Sequence, residues 1–79
     1  MQKIRIGSIG LGNISTGVHI PGIQASPDLV LTAICDADPE RLRQRGEQYG
    51  IDEAHRFTDY HDLIACPAVD AVDISTPNV

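Results

Sequence analysis

Residues 3–15 read KIRIGSIGLGNIS, a β-branched apolar run that passes directly into a glycine-rich loop. The loop has the form G-x-G-x-x-S, in which Ser15 occupies the third small position. In such a loop, Gly10 allows a tight turn out of the strand, and Gly12 lets the backbone approach a pyrophosphate. Ser15 would keep the following helix close to the strand. The stretch therefore predicts either a phosphate-binding loop or a strand-to-helix turn that needs glycine for steric reasons alone.

The rest of the chain alternates strand patterns with helix patterns. The predicted elements are strands at 3–9, 29–35, 54–58 and 68–76, and helices at 13–26, 36–50 and 59–66. Pro21 should kink or shorten the first helix, and the third strand should be a weak edge strand. The second strand, LVLTAIC, is almost entirely apolar, which is typical of parallel sheets covered on both faces. The pattern predicts an α/β fold, β-α-β-α-β-α-β, forming half of a doubly wound (Rossmann) parallel sheet with strand 1 central.

An acidic residue at the end of the second strand strengthens the nucleotide interpretation. Asp36 lies 24 positions beyond Gly12, about where dinucleotide-binding chains place a carboxylate for the adenosine ribose hydroxyls. The same carboxylate would repel a 2′-phosphate, so the predicted cofactor is NAD, with NADP less favoured. Asp36 could instead serve only as a cap or turn residue. Arg41, one helical turn further on, could reach the adenosine end of the cofactor or be a solvated helix charge.

Two other nucleotide-binding loops fit the sequence less well. A P-loop ends in G-K-[ST], and no lysine follows Gly12. A methyltransferase-type loop would commonly carry its next glycine where Ile14 stands. A dinucleotide therefore remains the favoured partner.

Composition excludes several classes of partner. The 79 residues carry a formal net charge of −5, and no cluster of lysine and arginine is present, so nucleic acid is not expected as a partner. No apolar run approaches the roughly 20 residues needed to cross a bilayer, and no membrane partner is expected. Cys35 and Cys66 are too few and too far apart for a disulfide framework or a zinc site. We expect reduced core thiols in a cytoplasmic protein, with no metal site.

Three segments of the chain resemble the start of the Gfo/Idh/MocA oxidoreductases, the glucose–fructose oxidoreductase and inositol dehydrogenase family. They are KIRIGSIGLGNIS, LTAICDADPERL and YHDLIACPAVDAVDISTPN, which agree in order and spacing across almost the whole chain. The resemblance implies an NAD(P)-binding Rossmann domain followed by a substrate domain. It also implies oxidation or reduction of hydroxyl and carbonyl groups on sugars, cyclitols and related small molecules.

The resemblance further implies which residues contact the cofactor. The pyrophosphate would be held by the loop residues Gly10, Leu11, Gly12, Asn13 and Ile14. Asp36 would bind the ribose, and the cofactor cleft at the end of the last strand would be lined by Ser75, Thr76, Pro77 and Asn78. One departure is Asp73, which stands where the family more often carries an apolar residue. A buried carboxylate without a partner is costly, so we expect Asp73 to have a partner or a water.

The length of the chain shapes the functional expectation. Residues 1–79 would form the N-terminal part of the Rossmann domain, with the substrate domain absent, so the chain alone should not be catalytic. No catalytic residue is assigned, since none of His19, His55 and His61 is placed by a motif as an acid or base. Two alternatives stay open. One is a half-domain that self-associates, as a homo-oligomer, through an exposed last strand. The other is a small regulatory NAD sensor.

Overall fold

Four parallel strands form the centre of the molecule in a computed structural model that describes residues 3–12 and 15–75. The strands are β1 (Ile4–Ile9), β2 (Leu29–Cys35), β3 (Arg56–Phe57) and β4 (Ala71–Ile74). The helices are α1 (Ile20–Ala25), α2 (Pro39–Tyr49) and α3 (Tyr60–Ile64), with a π-helical turn at Ser15–His19 and a 3₁₀ turn at Glu53–His55. This is the predicted alternation of strands and helices in a Rossmann-like α/β fold.

The strand order is β3-β2-β1-β4, so β1 is paired on both sides. It aligns with β2 from Ile4 opposite Leu29 to Ile9 opposite Cys35, with a register shift between Ile6 and Gly7. It also pairs in parallel with β4. The central place of strand 1 and the edge place of the weak third strand are both confirmed.

Side chains of β2 alternate between two hydrophobic cores, one on each face of the sheet. Ile34, which is fully buried, packs with Ile20 of α1 and Leu42 of α2. Its neighbours Ala33 and Cys35 point the other way and pack with Leu63 of α3. Helices therefore cover both faces, which explains why the sequence of β2 is almost wholly apolar.

The first predicted helix differs from the helix that is observed. Instead of one helix over 13–26, a π-helical turn at Ser15–His19 leads into the α-helix Ile20–Ala25, and residues 13–14 lie outside the described part of the chain. Pro21 lies in the first turn of α1. Because proline has no backbone N–H, it cannot make the α-helical hydrogen bond to the carbonyl of Gly17. The α-helical part, Ile20–Ala25, is shorter than the predicted helix over 13–26.

Local capping sets the bounds of α2 and α3. Asp38 accepts hydrogen bonds from the backbone N–H groups of Glu40 and Arg41, so α2 begins at Pro39, within the predicted segment 36–50. It ends at Tyr49, and the φ of 65° at the following Gly50 lies in the left-handed region that favours glycine. Asp59 caps α3 by accepting from His61 N–H. The last strand is also shorter than predicted, spanning 71–74 within the predicted 68–76.

Candidate functional site

The carboxyl ends of three neighbouring strands meet at one edge of the sheet. Gly10 N–H donates to the Cys35 carbonyl at 2.9 Å, which joins the end of β1 to the end of β2. Ser75 N–H donates to the Ile9 carbonyl at 2.8 Å, which joins the end of β4 to the same point. The glycine loop leaves β1 here, at the edge where open parallel sheets bind their ligands.

Two glycines of the loop have the properties that the motif predicts. Gly10 has a φ of 88°, a conformation that residues with a side chain rarely adopt. Apart from its chain neighbours, no described residue has an atom within 4 Å of a Cβ added to Gly12, so the described part of the chain leaves open space there. An open approach to the backbone is what a pyrophosphate requires at this position. The third small position, Ser15, begins the π-helical turn Ser15–His19.

Leu11, the residue between these glycines, is anchored in the protein. Its side chain is fully buried in the core that contains Ile20 and Ile34. Its N–H donates to Asp36 Oδ2 at 2.9 Å. In this structure the Leu11 side chain therefore serves packing, and its amide serves the connection between the loop and the second strand.

Asp36 is 8% exposed, and it accepts hydrogen bonds from two backbone amides among the described residues. Oδ2 accepts from Leu11 N–H, and Oδ1 accepts from Asp38 N–H at 2.9 Å. The Arg41 guanidinium lies 3.4 Å from Oδ2, with its own side chain about half exposed. Asp36 therefore stabilises the turn between β2 and α2, and its contact with a ribose stays a prediction.

A second polar cluster lies beside β4, and sequence patterns did not predict it. His19 Nδ1 is 3.0 Å from both carboxylate oxygens of Asp73 and 2.8 Å from Ser75 Oγ. The expectation that Asp73 has a partner is confirmed. The side chains of His19 and Asp73 are 35% and 28% exposed. No motif relates two residues that are 54 positions apart, so only the folded chain reveals the pair.

Several predicted site residues fall outside the described residues. These are Asn13, Ile14, Thr76, Pro77 and Asn78. The remaining members all lie near the carboxyl ends of the strands; they are Gly10, Leu11, Gly12, Asp36, Arg41 and Ser75. The Ser75 hydroxyl contacts His19. Their contact with a cofactor stays a prediction.

Residues 3–12 and 15–75 contain no group of three or more potential metal-ligating side chains. No helix within these ranges is long and apolar enough to cross a membrane. Cys35 and Cys66 are both buried and are not bonded to each other. Burial, with Asp36, Asp59 and Asp62 nearby, raises the pKa of the Cys35 thiol.

Comparison with known proteins gives the family of this chain. Residues 4–79 match the model of an oxidoreductase family with an NAD-binding Rossmann fold, GFO_IDH_MocA. The chain belongs to this family. The resemblance inferred from the sequence is therefore confirmed, and the glycine loop and Asp36 lie in the domain that binds NAD in this family.

Individual relatives agree with the assignment. The chain is 44% identical over 69 residues to myo-inositol 2-dehydrogenase of Thermotoga maritima, a match that covers 87% of this chain and 20% of the relative. A dehydrogenase from Bordetella pertussis, solved with NADH and UDP-GlcNAcA, is similar with a TM-score of 0.82 and 35% identity, covering 96% of this chain and 22% of that one. A 3-ketoreductase from Actinomadura kijaniata, solved with TDP-benzene and NADP, has a TM-score of 0.85 and 29% identity, covering 96% and 23%. The chain spans about a fifth of the length of the curated relatives it matches.

Proposed function

We propose that this chain forms the N-terminal part of the dinucleotide-binding domain of an oxidoreductase that acts on hydroxyl or carbonyl groups of sugars, cyclitols or related small molecules. The observation that carries the proposal is the tight turn at Gly10 with open space over Gly12, at the edge of the sheet next to Asp36. The substrate class is supported by the relatives, one named for myo-inositol and one solved with a nucleotide sugar acid.

In this proposal the cofactor lies across the carboxyl ends of the strands. The pyrophosphate would lie over Gly12, with the rest of the loop around it, namely Gly10, Leu11, Asn13 and Ile14. Amide groups in a loop of this kind attract an anion through their partial positive charge. The Asp36 carboxylate would also accept a hydrogen bond from a ribose hydroxyl. The far side of the cleft would be formed by Ser75, Thr76, Pro77 and Asn78.

The cofactor is proposed to be NAD rather than NADP. The structural relatives include proteins solved with NADH and with NADP, so similarity to them does not distinguish between the two cofactors. Asp36 favours NAD because its charge repels a 2′-phosphate. Arg41 weakens that repulsion, since its guanidinium lies 3.4 Å from the carboxylate. We therefore expect a preference for NADH over NADPH rather than complete exclusion of NADPH.

Binding and catalysis are separate in this proposal. The described residues at the loop and beside Asp36 supply a tight backbone turn and a carboxylate, which would help to hold and orient a dinucleotide. Hydride transfer also requires a substrate held in register with the nicotinamide. We expect the 79-residue chain by itself to bind NADH and to show no turnover.

Titration of the chain with NADH tests the proposal, followed by nucleotide fluorescence and by calorimetry. Asp36→Ala should weaken NADH binding by at least tenfold, since it removes the ribose acceptor and the anchor of the loop. Asp28→Ala is the matched control, because it removes the same charge. Asp28 lies just before β2, at the amino ends of the strands and away from the proposed site. Equal NADH affinity in the wild type and in Asp36→Ala, or no binding by the wild type, would overturn the proposed function.

A second proposal concerns assembly, and it rests on β4. This strand lies at the edge of the sheet among the described residues, and its Val72 and Ile74 side chains are 41% and 61% exposed. An exposed apolar edge strand is a template for pairing with another chain. We propose that two copies of the chain pair through β4, and that Ile74→Lys weakens the pairing. Light scattering on a size-exclusion column tests this, and a monomer at high concentration would exclude it.

A further inference from the structure

His19, Asp73 and Ser75 connect two segments that border the proposed cofactor cleft. His19 is the last residue of the π-helical turn Ser15–His19, which follows the glycine loop along the chain. Asp73 is in β4, and Ser75 follows it. We propose that this His19–Asp73–Ser75 cluster positions the helical segment after the loop against the end of β4, and so sets the affinity for the dinucleotide. The inference rests on the proposed dinucleotide binding.

The contacts determine which atom of the imidazole carries a hydrogen. Both oxygens of Asp73 lie 3.0 Å from His19 Nδ1, and an ionised carboxylate can only accept. Nδ1 is therefore the donor. Ser75 Oγ lies 2.8 Å from the same nitrogen and 3.4 Å from Asp73 Oδ2, so it shares the single Nδ1 hydrogen with the carboxylate and donates its own hydrogen to Asp73. The three side chains form one connected set.

The location of the cluster explains how it could act at a distance. Ser75 N–H donates to the Ile9 carbonyl, so the end of β4 is held against the end of β1, where the glycine loop begins. The His19 contact adds a second connection, from β4 to the segment beyond the loop. A loop held at both ends loses less conformational entropy when a ligand binds, and this preorganisation raises affinity. His19 and Asp73 are thus positioning residues.

Partial burial strengthens these contacts. The side chains of His19 and Asp73 are about one-third exposed, so water and salt screen their contact less than they screen a fully exposed pair. Hydrogen bonds to a charged acceptor are also stronger than those between neutral groups. The cluster can therefore hold the two segments together more firmly than a surface ion pair would.

Pairs of substitutions separate the effect of the hydrogen bond between His19 and Asp73 from the effect of side-chain size. In His19→Asn the amide nitrogen takes the place of Nδ1, and the contact with Asp73 is kept. In His19→Gln the amide nitrogen takes the place of Nε2, and the contact is lost. Asp73→Asn keeps an oxygen acceptor, whereas Asp73→Leu keeps only similar volume. We expect His19→Gln and Asp73→Leu to weaken NADH binding roughly tenfold, and their paired Asn variants to stay within about threefold of the wild type.

Two further measurements and one reference variant complete the test. Urea unfolding shows whether each variant is fully folded at the temperature of the titration, so that lost affinity is not lost fold. The ¹⁵N spectrum of His19 in the wild-type chain without nucleotide should show a protonated Nδ1, and Asp73→Leu should change it. Asp36→Ala serves as the reference for lost binding.

The outcomes distinguish this inference from the proposed function. If Asp36→Ala loses NADH while His19→Gln and Asp73→Leu bind like the wild type, the positioning role is wrong and the proposed function stands. If Asn and Gln at position 19 weaken binding equally, the Nδ1 contact is not the cause, and the inference is again overturned. If the wild type does not bind NADH, the proposed function fails, and the effect on affinity fails with it.

Discussion

The backbone N–H of Leu11 donates a 2.9 Å hydrogen bond to Asp36 Oδ2, across 25 positions of the sequence. One carboxylate thus connects the glycine loop to the end of the second strand. Its other oxygen accepts from Asp38 N–H, which holds the turn into α2. The residue proposed to bind the ribose is therefore also the residue that shapes the loop.

This double role predicts that Asp36→Ala lowers stability as well as affinity. The substitution leaves the Leu11 N–H, in a buried residue, without its acceptor, at a cost of about 1–3 kcal/mol in the free energy of unfolding. Asp36→Asn keeps an acceptor oxygen and should cost less. Urea unfolding measures both values, with Asp28→Ala as a control that should stay within about 0.5 kcal/mol of the wild type. Equal stability of the wild type and Asp36→Ala would contradict the anchoring role.

Arg41→Ala should sharpen the preference for NADH. Without the guanidinium, the Asp36 charge is uncompensated, so a 2′-phosphate is repelled more strongly and NADPH affinity falls by up to about fivefold. NADH affinity should change less. Parallel titrations with the two nucleotides check this.

Arg43→Ala is the matched control, since it removes the same charge from the same helix. Arg43 pairs with Glu40 and Glu47 rather than with Asp36. An equal change of the NADPH to NADH ratio in both variants would show that general charge, and not the contact with Asp36, is responsible.

Gly7→Ala should destabilise the fold although Gly7 lies outside the loop. A Cβ at this position would lie 2.7 Å from Leu63 Cδ2 and 3.1 Å from Val69 Cγ2. Relieving that overlap in a packed core costs typically 1–3 kcal/mol. Gly22→Ala is the control, because it has open space around it within α1 and should be neutral or stabilising by up to about 1 kcal/mol.

A double substitution tests whether Leu63 is the cause. In a Leu63→Ala background the overlap is removed, so Gly7→Ala should cost less there than in the wild type. Thermal or urea unfolding of the four proteins gives the coupling. If the losses of stability from Gly7→Ala and Leu63→Ala are additive, contact with Leu63 is not the cause of the destabilisation.

The contact between Asp70 and Arg5 predicts a loss of stability in acid. Arg5 donates to the Asp70 carboxylate from its backbone N–H and from its guanidinium, at 2.8–3.0 Å. The hydrogen bonds from the Arg5 side chain, then that from its backbone, lower the pKa of Asp70 from 3.8 to about 2. A pKa lowered by folding adds stability that is fully present above pH 4 and is lost as the pH falls towards 2.

Asp70→Asn should therefore flatten the pH dependence of the free energy of unfolding between pH 4 and pH 2. At neutral pH the variant should be slightly less stable than the wild type, and added salt should reduce the difference, since the pair is exposed. Urea unfolding across this pH range measures both effects. A slope unchanged by the substitution would show that other carboxylates control acid unfolding.

Much of the fold could be predicted because its signals are local. The apolar run of β2 and the glycine loop after β1 each depend on a few adjacent residues, and each predicted its part of the fold. The bounds of the first helix and of β4 were less accurate. Pro21 removes a single α-helical hydrogen bond, the one to the Gly17 carbonyl. That local signal does not specify the conformation of the preceding turn, Ser15–His19.

The sequence by itself determined the fold class, the glycine loop and the family, since spacing along the chain is enough to specify them. Only the tertiary structure decided that Leu11 N–H is bonded to Asp36 and that His19 meets Asp73 and Ser75. Those contacts join residues that are 25 to 56 positions apart. Residues so far apart in the sequence become neighbours because β1 pairs in parallel with β2 and β4. This pairing brings the carboxyl ends of the three strands together at one end of the sheet.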